Sequence, residues 1–259
     1  MSIAIRFEHV WKRYMDHSFL GGGFKNYVLN AFRNRPPQQN RSVLEDISFE
    51  IKQGSTVGFV GRNGVGKSTL LGLIAGVFRP DSGTITVNGR ISSMLELGAG
   101  FHPDLTGREN IQLYGVVLGF SRREIRHRLD SVISFAELED SIDVPLRFYS
   151  SGMIARLGFA VASQLDPEIL LVDEVLAVGD HAFQLKCFDV IKQFRAAGGT
   201  IVLVSHAADD ITRLCDQAHL IEDHRIVASG DPVAVMDRYQ PEPAHPTDER
   251  KARTIDNAQ

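Results

Sequence analysis

A glycine-rich segment at residues 61–69 contains the residue types that bind a phosphate group. Its glycines allow backbone N–H groups to turn inward around phosphate oxygens, because no Cβ stands in the way. Lys67 can reach the β- and γ-phosphates of a nucleotide, and the Ser68 hydroxyl can ligate Mg²⁺. The segment is therefore predicted to be a phosphate loop. Its residues are Gly61, Arg62, Asn63, Gly64, Val65, Gly66, Lys67, Ser68 and Thr69.

The residues on either side of the phosphate loop support this interpretation. Residues 56–60 form an apolar run typical of a buried strand, and residues 70–75 continue as an apolar helix. This order of strand, loop and helix separates a functional phosphate loop from a chance glycine-rich turn with an incidental lysine. The helix would also direct the positive end of its dipole at the anion. We therefore expect the chain to bind a nucleoside triphosphate.

Two adjacent carboxylates follow a second apolar strand, predicted over residues 168–172. The carboxyl ends of strands are where open α/β sheets bind ligands. We expect Asp173 to hold the metal, directly or through water, and Glu174 to act as general base toward the attacking water. The alternative is an Asp-Glu pair that merely begins a helix or a turn.

His206 and Asp180 occupy positions that are weaker signals when taken alone. His206 follows another apolar strand, at residues 201–204, and could hydrogen-bond both the γ-phosphate and the water. A lone histidine is more often structural, so this role depends on the neighbouring motifs. Asp180 in isolation is a turn aspartate.

Ser150, Ser151 and Gly152, the signature segment, precede an amphipathic run. Hydroxyls and backbone N–H groups at a helix N-terminus form a second small anion cradle, although in isolation they indicate an ordinary helix cap. About twenty residues before the paired carboxylates, the segment resembles the signature motif of ATP-binding-cassette (ABC) ATPases. The resemblance covers residues 3–239. It implies an α/β fold of the P-loop NTPase type, with a central, mostly parallel sheet, an antiparallel β subdomain and a helical subdomain.

Three stretches resemble one subfamily, the ATPase subunits of bacterial exporters of O-antigen, capsular polysaccharide or teichoic acid. They are residues 95–103, 149–153 and 173–180. The signature segment departs from the family by carrying Ser-Ser-Gly-Met where Ser-Gly-Gly-Gln is usual. The resemblance implies that Tyr14 stacks on adenine and that Asp180 belongs to the nucleotide site.

Glu96 stands near the position where most ABC ATPases place a glutamine that touches metal and water. No glutamine occurs there in this chain. Glu96 is therefore either a ligand of Mg²⁺ or a solvated charge, and both interpretations stay open.

The resemblance also implies partners for the chain. Each ATP, with Mg²⁺, would lie between the phosphate loop of one copy and the signature segment of a second copy, in a head-to-tail homodimer. Residues 97–100 would meet a polytopic membrane permease subunit, and the link to a polysaccharide cargo would be indirect. The ATPase would then be peripheral, on the cytoplasmic face of the bacterial inner membrane.

Composition restricts the classes of protein that fit. The 259 residues suffice for one large α/β domain or two small ones, with 43% hydrophobic and 23% charged residues. The net charge of −4 gives no global basic field, so no nucleic-acid partner is expected. No apolar run approaches the ~18 residues that a membrane span needs. Cys187 and Cys215 are read as buried or indifferent thiols of a reducing compartment.

The chain is predicted to consist of one ABC ATPase domain, residues 1–239, and a flexible tail, residues 240–259. A surface insertion is expected at residues 16–41. A helical subdomain is expected at about residues 104–160, where Ser121 and Glu124 have the spacing of a capping box. Two strands are expected around the turn at Asn88 and Gly89.

Three alternative functions compete with polysaccharide export. A soluble ABC ATPase that acts on DNA or ribosomes usually carries coiled coils or two cassettes and needs a basic surface, which this acidic chain lacks. A GTP-hydrolysing switch needs an Asn-Lys-x-Asp string, which is absent. Export of another cargo, such as a drug, a lipid or a metal, is compatible with the same phosphate site. Only residues 95–103 and 149–153 favour a polysaccharide as the cargo over these other molecules.

Overall fold

The computed structural model describes residues 2–15, 40–94, 98, 100–173, 179–205 and 208–239. Within these ranges the strands form two sheets, one antiparallel and one mostly parallel, with helices packed around the parallel one. The strands are β1 (Ile3–Met15), β2 (Asn40–Lys52), β3 (Thr56–Val60), β4 (Ser82–Val87), β5 (Ile91–Ser93), β6 (Ile169–Val172), β7 (Thr200–Val204), β8 (Gln217–Glu222) and β9 (Arg225–Gly230).

The larger sheet has the strand order β5-β6-β7-β3-β8-β9. β5, β6, β7, β3 and β8 are parallel, and β9 closes one edge as an antiparallel partner of β8. β6 and β7 are inner strands whose residues are all buried, so the prediction of a central parallel sheet is confirmed. Such strands are apolar without alternation because helices or another sheet cover both of their faces.

The smaller sheet has the order β2-β1-β4 and is antiparallel. β1 and β2 extend further than the apolar pattern predicts, because main-chain pairing with neighbouring strands continues where the pattern fades. Tyr14 pairs with Arg41, and both Asn40 and Arg41 belong to β2. The expected insertion at residues 16–41 is therefore too long by these two residues, and residues 16–39 lie outside the described part of the chain.

The two strands expected around Asn88 and Gly89 both exist, but they do not pair with each other. β4 pairs with β1 in the antiparallel sheet, whereas β5 pairs with β6 in the parallel sheet. The Asn-Gly turn therefore carries the chain from one sheet to the other and is not a hairpin turn. Local turn chemistry alone could not distinguish these two outcomes.

Helices surround the larger sheet and also build the middle of the chain. The predicted helical segment at residues 104–160 contains the second and third helices and most of the fourth, together with single 3₁₀ turns at Glu139–Ser141 and Leu146–Phe148. The helices are α1 (Lys67–Ile74), α2 (Gly107–Val117), α3 (Arg122–Ala136), α4 (Ser151–Gln164), α5 (His181–Ala196), α6 (Ala208–Leu214) and α7 (Pro232–Arg238).

The start of α3 confirms the predicted capping box. The Ser121 hydroxyl accepts a hydrogen bond from the Glu124 backbone N–H, and the Glu124 carboxylate accepts one from the Ser121 backbone N–H. Thr106 and Glu109 make the same reciprocal arrangement at the start of α2. These bonds satisfy backbone donors that a helix N-terminus would otherwise leave unpaired.

Three groups of buried apolar side chains hold these elements together. The sheet–sheet core lies between the two sheets and includes α1; Phe7 and Phe49 stack there with ring centroids 4.5 Å apart. The sheet–helix core lies on the other face of the parallel sheet, against α4 and α5. The helical core joins α2, α3 and α4 around Ile111, Ile125 and Leu157. The extent of a separate helical subdomain stays a prediction.

Candidate functional site

The phosphate loop connects the carboxyl end of β3 to the start of α1, in the strand–loop–helix order that the sequence predicts. Two of its glycines are required by close packing. A Cβ on Gly61 would lie 2.4 Å from the Ile221 carbonyl oxygen, and one on Gly66 would lie 2.5 Å from the Val43 carbonyl oxygen. Gly66 also has a φ of 113°, which favours glycine. The loop therefore packs tightly against β2 and β8.

The outer side of the phosphate loop is open. A Cβ built on Gly64 would have no heavy atom within 4 Å, and Arg62 and Asn63 are exposed. Gly66 is the N-cap of α1, and no side chain makes a capping hydrogen bond there. Backbone N–H groups at such a helix start are suited to an anion.

Lys67 lies inside the phosphate loop with only 6% of its surface exposed. Its Nζ donates to the Gly61 carbonyl oxygen at 2.7 Å and to the Arg62 carbonyl oxygen at 3.1 Å. These contacts hold a cation within the loop. Ser68, by contrast, is exposed at the start of α1, and Thr69 is half-buried.

Asp173 lies at the same edge of the parallel sheet as the phosphate loop. It follows β6, and β7 is the one strand between β6 and β3. Adjacent strands are about 4.8 Å apart, so the ends of β6 and β3 are separated by roughly 10 Å in the sheet. The sequence-predicted grouping of these two motifs is therefore built into the strand order. Glu174 and His206 lie outside the described residues, as does Glu96.

The signature segment forms the N-terminus of α4, as expected. Ser150 is the N-cap, and its hydroxyl accepts a hydrogen bond from the Met153 backbone N–H at 3.2 Å. Ser150 and Ser151 are exposed, and a Cβ on Gly152 would meet only the Ser150 hydroxyl, at 3.8 Å. The segment therefore presents an uncovered helix start.

Tyr149 anchors the signature segment from its buried side. Its hydroxyl donates to the Ser141 carbonyl oxygen at 2.6 Å, and burial raises the pKa of this phenol. Gly98, which lies in the segment expected to meet a membrane subunit, packs nearby: a Cβ there would be 2.8 Å from Ile154 of α4. Gly98 and the signature helix are thus in contact.

Asp180 is the N-cap of α5. Its Oδ1 accepts a hydrogen bond from the Phe183 backbone N–H at 2.9 Å, and its surface is exposed. Asp180 therefore stabilises the start of α5, which agrees with the interpretation of this residue as an aspartate in a turn. Its place in a nucleotide site stays a prediction.

Tyr14 lies near the end of β1 with 38% of its surface exposed. Its ring meets Phe78 edge to face, with centroids 6.1 Å apart, and Lys12 Nζ lies 5.6 Å from the ring centroid. An exposed aromatic face of this kind can stack on a base, so the predicted contact with adenine stays available.

Arg156, on α4, is largely removed from solvent. It forms an ion pair with Glu137, and its guanidinium lies 4.9 Å from the centroid of the Phe183 ring. Only 19% of the side chain is exposed. Arg156 therefore contributes to packing between α4, α5 and the end of α3.

Sequence reasoning did not single out His224, which contacts the phosphate loop in the fold. Its Nδ1 lies 3.1 Å from the Val43 carbonyl oxygen and 3.3 Å from the Val65 carbonyl oxygen. A separation of 159 positions between His224 and Val65 leaves no local signal for this contact.

Neither a cluster of metal-ligating side chains nor a membrane-spanning helix is found among the described residues. No group of three His, Cys, Asp or Glu residues able to hold a metal ion occurs there. The exposed Ser68 hydroxyl and the Asp173 carboxylate are hard oxygen donors, which suit Mg²⁺ carried with a nucleotide. No helix in these ranges has the length and apolar character to cross a bilayer.

Comparison with known proteins agrees with this geometry. The family described as "ABC transporter" matches residues 44–177. An O-antigen export system ATP-binding protein of Klebsiella pneumoniae is 48% identical over 242 residues, which covers 93% of this chain and 98% of the relative. A teichoic acids export ATP-binding protein of Bacillus anthracis is 36% identical over 239 residues, covering 92% of this chain and 43% of the relative.

Solved structures show the same fold. The ATP-binding subunit of an ABC transporter has a TM-score of 0.71 at 22% identity, covering 91% of this chain and 92% of that one. A dimeric ATP-binding cassette, solved in a post-hydrolysis state with ADP and phosphate, has a TM-score of 0.68 at 21% identity, covering 88% and 98%. The chain therefore belongs to the ABC transporter family and is one of its ATPases.

Proposed function

We propose that this chain is the ATP-hydrolysing subunit that powers export of a lipid-linked polysaccharide through a partner membrane subunit. The observation that carries the proposal is the 48% identity across nearly the whole length of an O-antigen export ATP-binding protein. The teichoic acid relative is less similar and matches over less than half of its own length. Cargo of the O-antigen type is therefore favoured over teichoic acid.

In this proposal the phosphate loop holds the triphosphate. The buried ammonium of Lys67 would meet the β- and γ-phosphate oxygens, and the open side at Gly64 leaves room for them. Ser68 and Asp173 would hold Mg²⁺, which when bound partly neutralises the phosphate charge. Glu174 would act as general base, and His206 would contact the γ-phosphate. Tyr14 would stack on the adenine.

The signature segment would complete the site of a second copy. Ser150 and Ser151 are exposed at the start of α4, so their hydroxyls and the helix N-terminus are accessible to a phosphate from outside the chain. ATP would then join two copies head to tail. ADP lacks the γ-phosphate that fills the second cradle, so the copies would separate after hydrolysis.

The membrane partner would dock at the cytoplasmic face of the inner membrane, where this ATPase would be peripheral. Residues 97–100 would contribute to the contact. Gly98 packs on Ile154 of the signature helix. Movement of the membrane partner at this segment would therefore be transmitted to the helix that completes the ATP site of the second copy.

The proposal is tested by expressing the chain with the permease of an O-antigen exporter and preparing inverted membrane vesicles that carry a lipid-linked O-antigen precursor on their outer face. ATP should drive the glycan into the vesicle lumen, where added glycosidase cannot reach it. Vesicles carrying the Lys67→Ala variant should show no protected glycan. Equal protection with the two proteins, or protection without ATP, would refute the assignment to polysaccharide export.

A further inference from the structure

The turn between β8 and β9 is fixed to β2 independently of the phosphate loop. Asp223 and His224 form this turn with φ values of 45° and 68°, both in the left-handed region. The Glu45 backbone N–H donates to the His224 carbonyl oxygen at 2.8 Å. The guanidinium of Arg225 donates to the Glu45 carboxylate at 2.8 and 3.1 Å. The His224 ring is therefore held in place by contacts outside the loop.

From this turn, the His224 ring reaches two backbone carbonyls. Its Nδ1 lies 3.1 Å from the Val43 oxygen on β2 and 3.3 Å from the Val65 oxygen in the phosphate loop. Both partners are acceptors only, so Nδ1 must carry the proton and donate to both. One ring N–H thus joins β2, the β8–β9 turn and the phosphate loop.

The contact with Val65 determines how the next peptide group is oriented. The Val65 carbonyl and the Gly66 N–H belong to one planar, trans peptide unit, so the two groups point in opposite directions. When the carbonyl is held toward His224, the Gly66 N–H is directed away from the turn. Gly66 is also the N-cap of α1, and backbone donors at a helix start are suited to an anion.

We propose that His224 is a positioning residue that pre-organises the phosphate loop for nucleotide. Without its N–H donor, the Val65–Gly66 peptide loses one of the contacts that restrain it, and binding of nucleotide must then supply part of the ordering. Affinity for nucleotide therefore falls, because the cost of ordering is deducted from the binding energy. Turnover of bound ATP changes little, since the filled loop has the same geometry in both proteins.

Two glycine variants separate the effect of losing the N–H donor from the effect of relieving backbone strain in the turn. Glycine adopts left-handed φ values without a steric cost, so His224→Gly and Asp223→Gly both relieve the turn. Only His224→Gly removes the N–H donor. His224→Asn restores a donor at nearly the position of Nδ1, and Asn also tolerates the left-handed region.

The experiment measures the Kd of a non-hydrolysable ATP analogue by calorimetry, and KM and kcat for ATP hydrolysis, on the full chain. His224→Gly should raise Kd and KM about three- to tenfold, the usual effect of one hydrogen bond, with kcat within about twofold. Asp223→Gly and His224→Asn should remain within about twofold of the parent in Kd and KM. A parent chain that binds no ATP would refute the family function, not this proposal.

Equal affinities of the two glycine variants would overturn the proposal. An Asn variant as weak as His224→Gly would also overturn it, because the donor would then not be what matters. A purely structural role predicts a lower melting temperature for His224→Gly with an unchanged Kd, and that pattern would count against the proposal as well.

Discussion

The ammonium group of Lys67 is held against two backbone carbonyls of its own loop, almost completely removed from solvent. Burial of a cation is costly unless charged or polar partners compensate, so a nucleotide phosphate would find this group partly desolvated and ready to bind. Residue identity and spacing predict that Lys67 binds phosphate, and this role stays a prediction. The distances add that the side chain lies within the loop.

Lys67→Ala should weaken binding of ATP at least about tenfold and abolish hydrolysis, because charge-assisted hydrogen bonds to phosphate are lost. Binding is measured by calorimetry and turnover by phosphate release. Lys192→Ala is the matched control, since Lys192 is an exposed lysine on α5 that pairs only locally with Asp189. Binding and turnover by Lys67→Ala at the parent level would contradict the role of Lys67.

His219 on β8 gives a pH-dependent contribution to stability. It is 3% exposed, and its ring packs against both Phe49 and Phe59, with centroids 5.5 and 5.0 Å away. Its Nδ1 lies 2.7 Å from the Ser229 hydroxyl oxygen. Burial lowers the pKa of this imidazole to about 4. The unfolded chain, with a histidine pKa near 6.5, therefore binds the proton more readily than the folded chain.

Because the folded-state pKa is depressed, this contribution is fully present above about pH 6.5 and is lost as pH falls toward 4. The loss is on the order of 3 kcal/mol of unfolding free energy. His219→Phe should remove this pH-dependent loss. The difference in unfolding free energy between variant and parent, measured by urea titration, should therefore grow as pH is lowered from 7.5 to 4.5. A difference that does not change with pH would show that His219 does not titrate this way.

At the scale of elements, the sequence predicts helix starts and the central parallel strands, but it does not predict that β4 and β5 belong to different sheets. The capping box at Ser121 and the signature segment at Ser150 are local patterns, because the residues that bond are three positions apart. The separation of β4 and β5 into two sheets depends on strands far away in sequence. The same holds for the His224 contact and for Arg156, whose partners lie on other helices.

Ser121→Ala should lower the free energy of unfolding by about 1 kcal/mol, because the first turn of α3 loses its side-chain acceptor. ATP hydrolysis should be unaffected, since α3 contributes to the helical core and not to the phosphate loop. Ser134→Ala in the same helix is the control: Ser134 is exposed, and alanine favours helix, so stability should hold or rise slightly. Chemical denaturation of the three proteins compares them directly.

Equal stabilities of the Ser121→Ala and Ser134→Ala variants would show that the capping box contributes nothing to the fold. Reduced ATP hydrolysis by Ser121→Ala alone would indicate instead that the start of α3 communicates with the nucleotide site.

At the scale of the whole molecule, one chain carries two separate features that are predicted to bind phosphate. The phosphate loop belongs to the sheet–sheet core through α1, whereas the signature segment begins α4, which packs in the helical and sheet–helix cores. Ser150 caps α4, and both Ser150 and Ser151 are exposed. Their use by a second copy is inferred from the family resemblance, because a single sequence carries no direct record of its partner.

The head-to-tail arrangement is most directly tested by the molar mass of the Glu174→Gln variant, measured by light scattering in ATP and in ADP. Loss of the general base should trap ATP, so the account predicts a dimer in ATP and a monomer in ADP. Adding Ser151→Glu should abolish the dimer: an acidic residue suits the first turn of α4, yet it repels phosphate.

Arg122→Glu is the matched control, because Arg122 is the first residue of α3 and the same change there should leave the dimer intact. A Glu174→Gln protein that stays monomeric in ATP, or a dimer that survives Ser151→Glu, would contradict the central claim that two copies share each ATP.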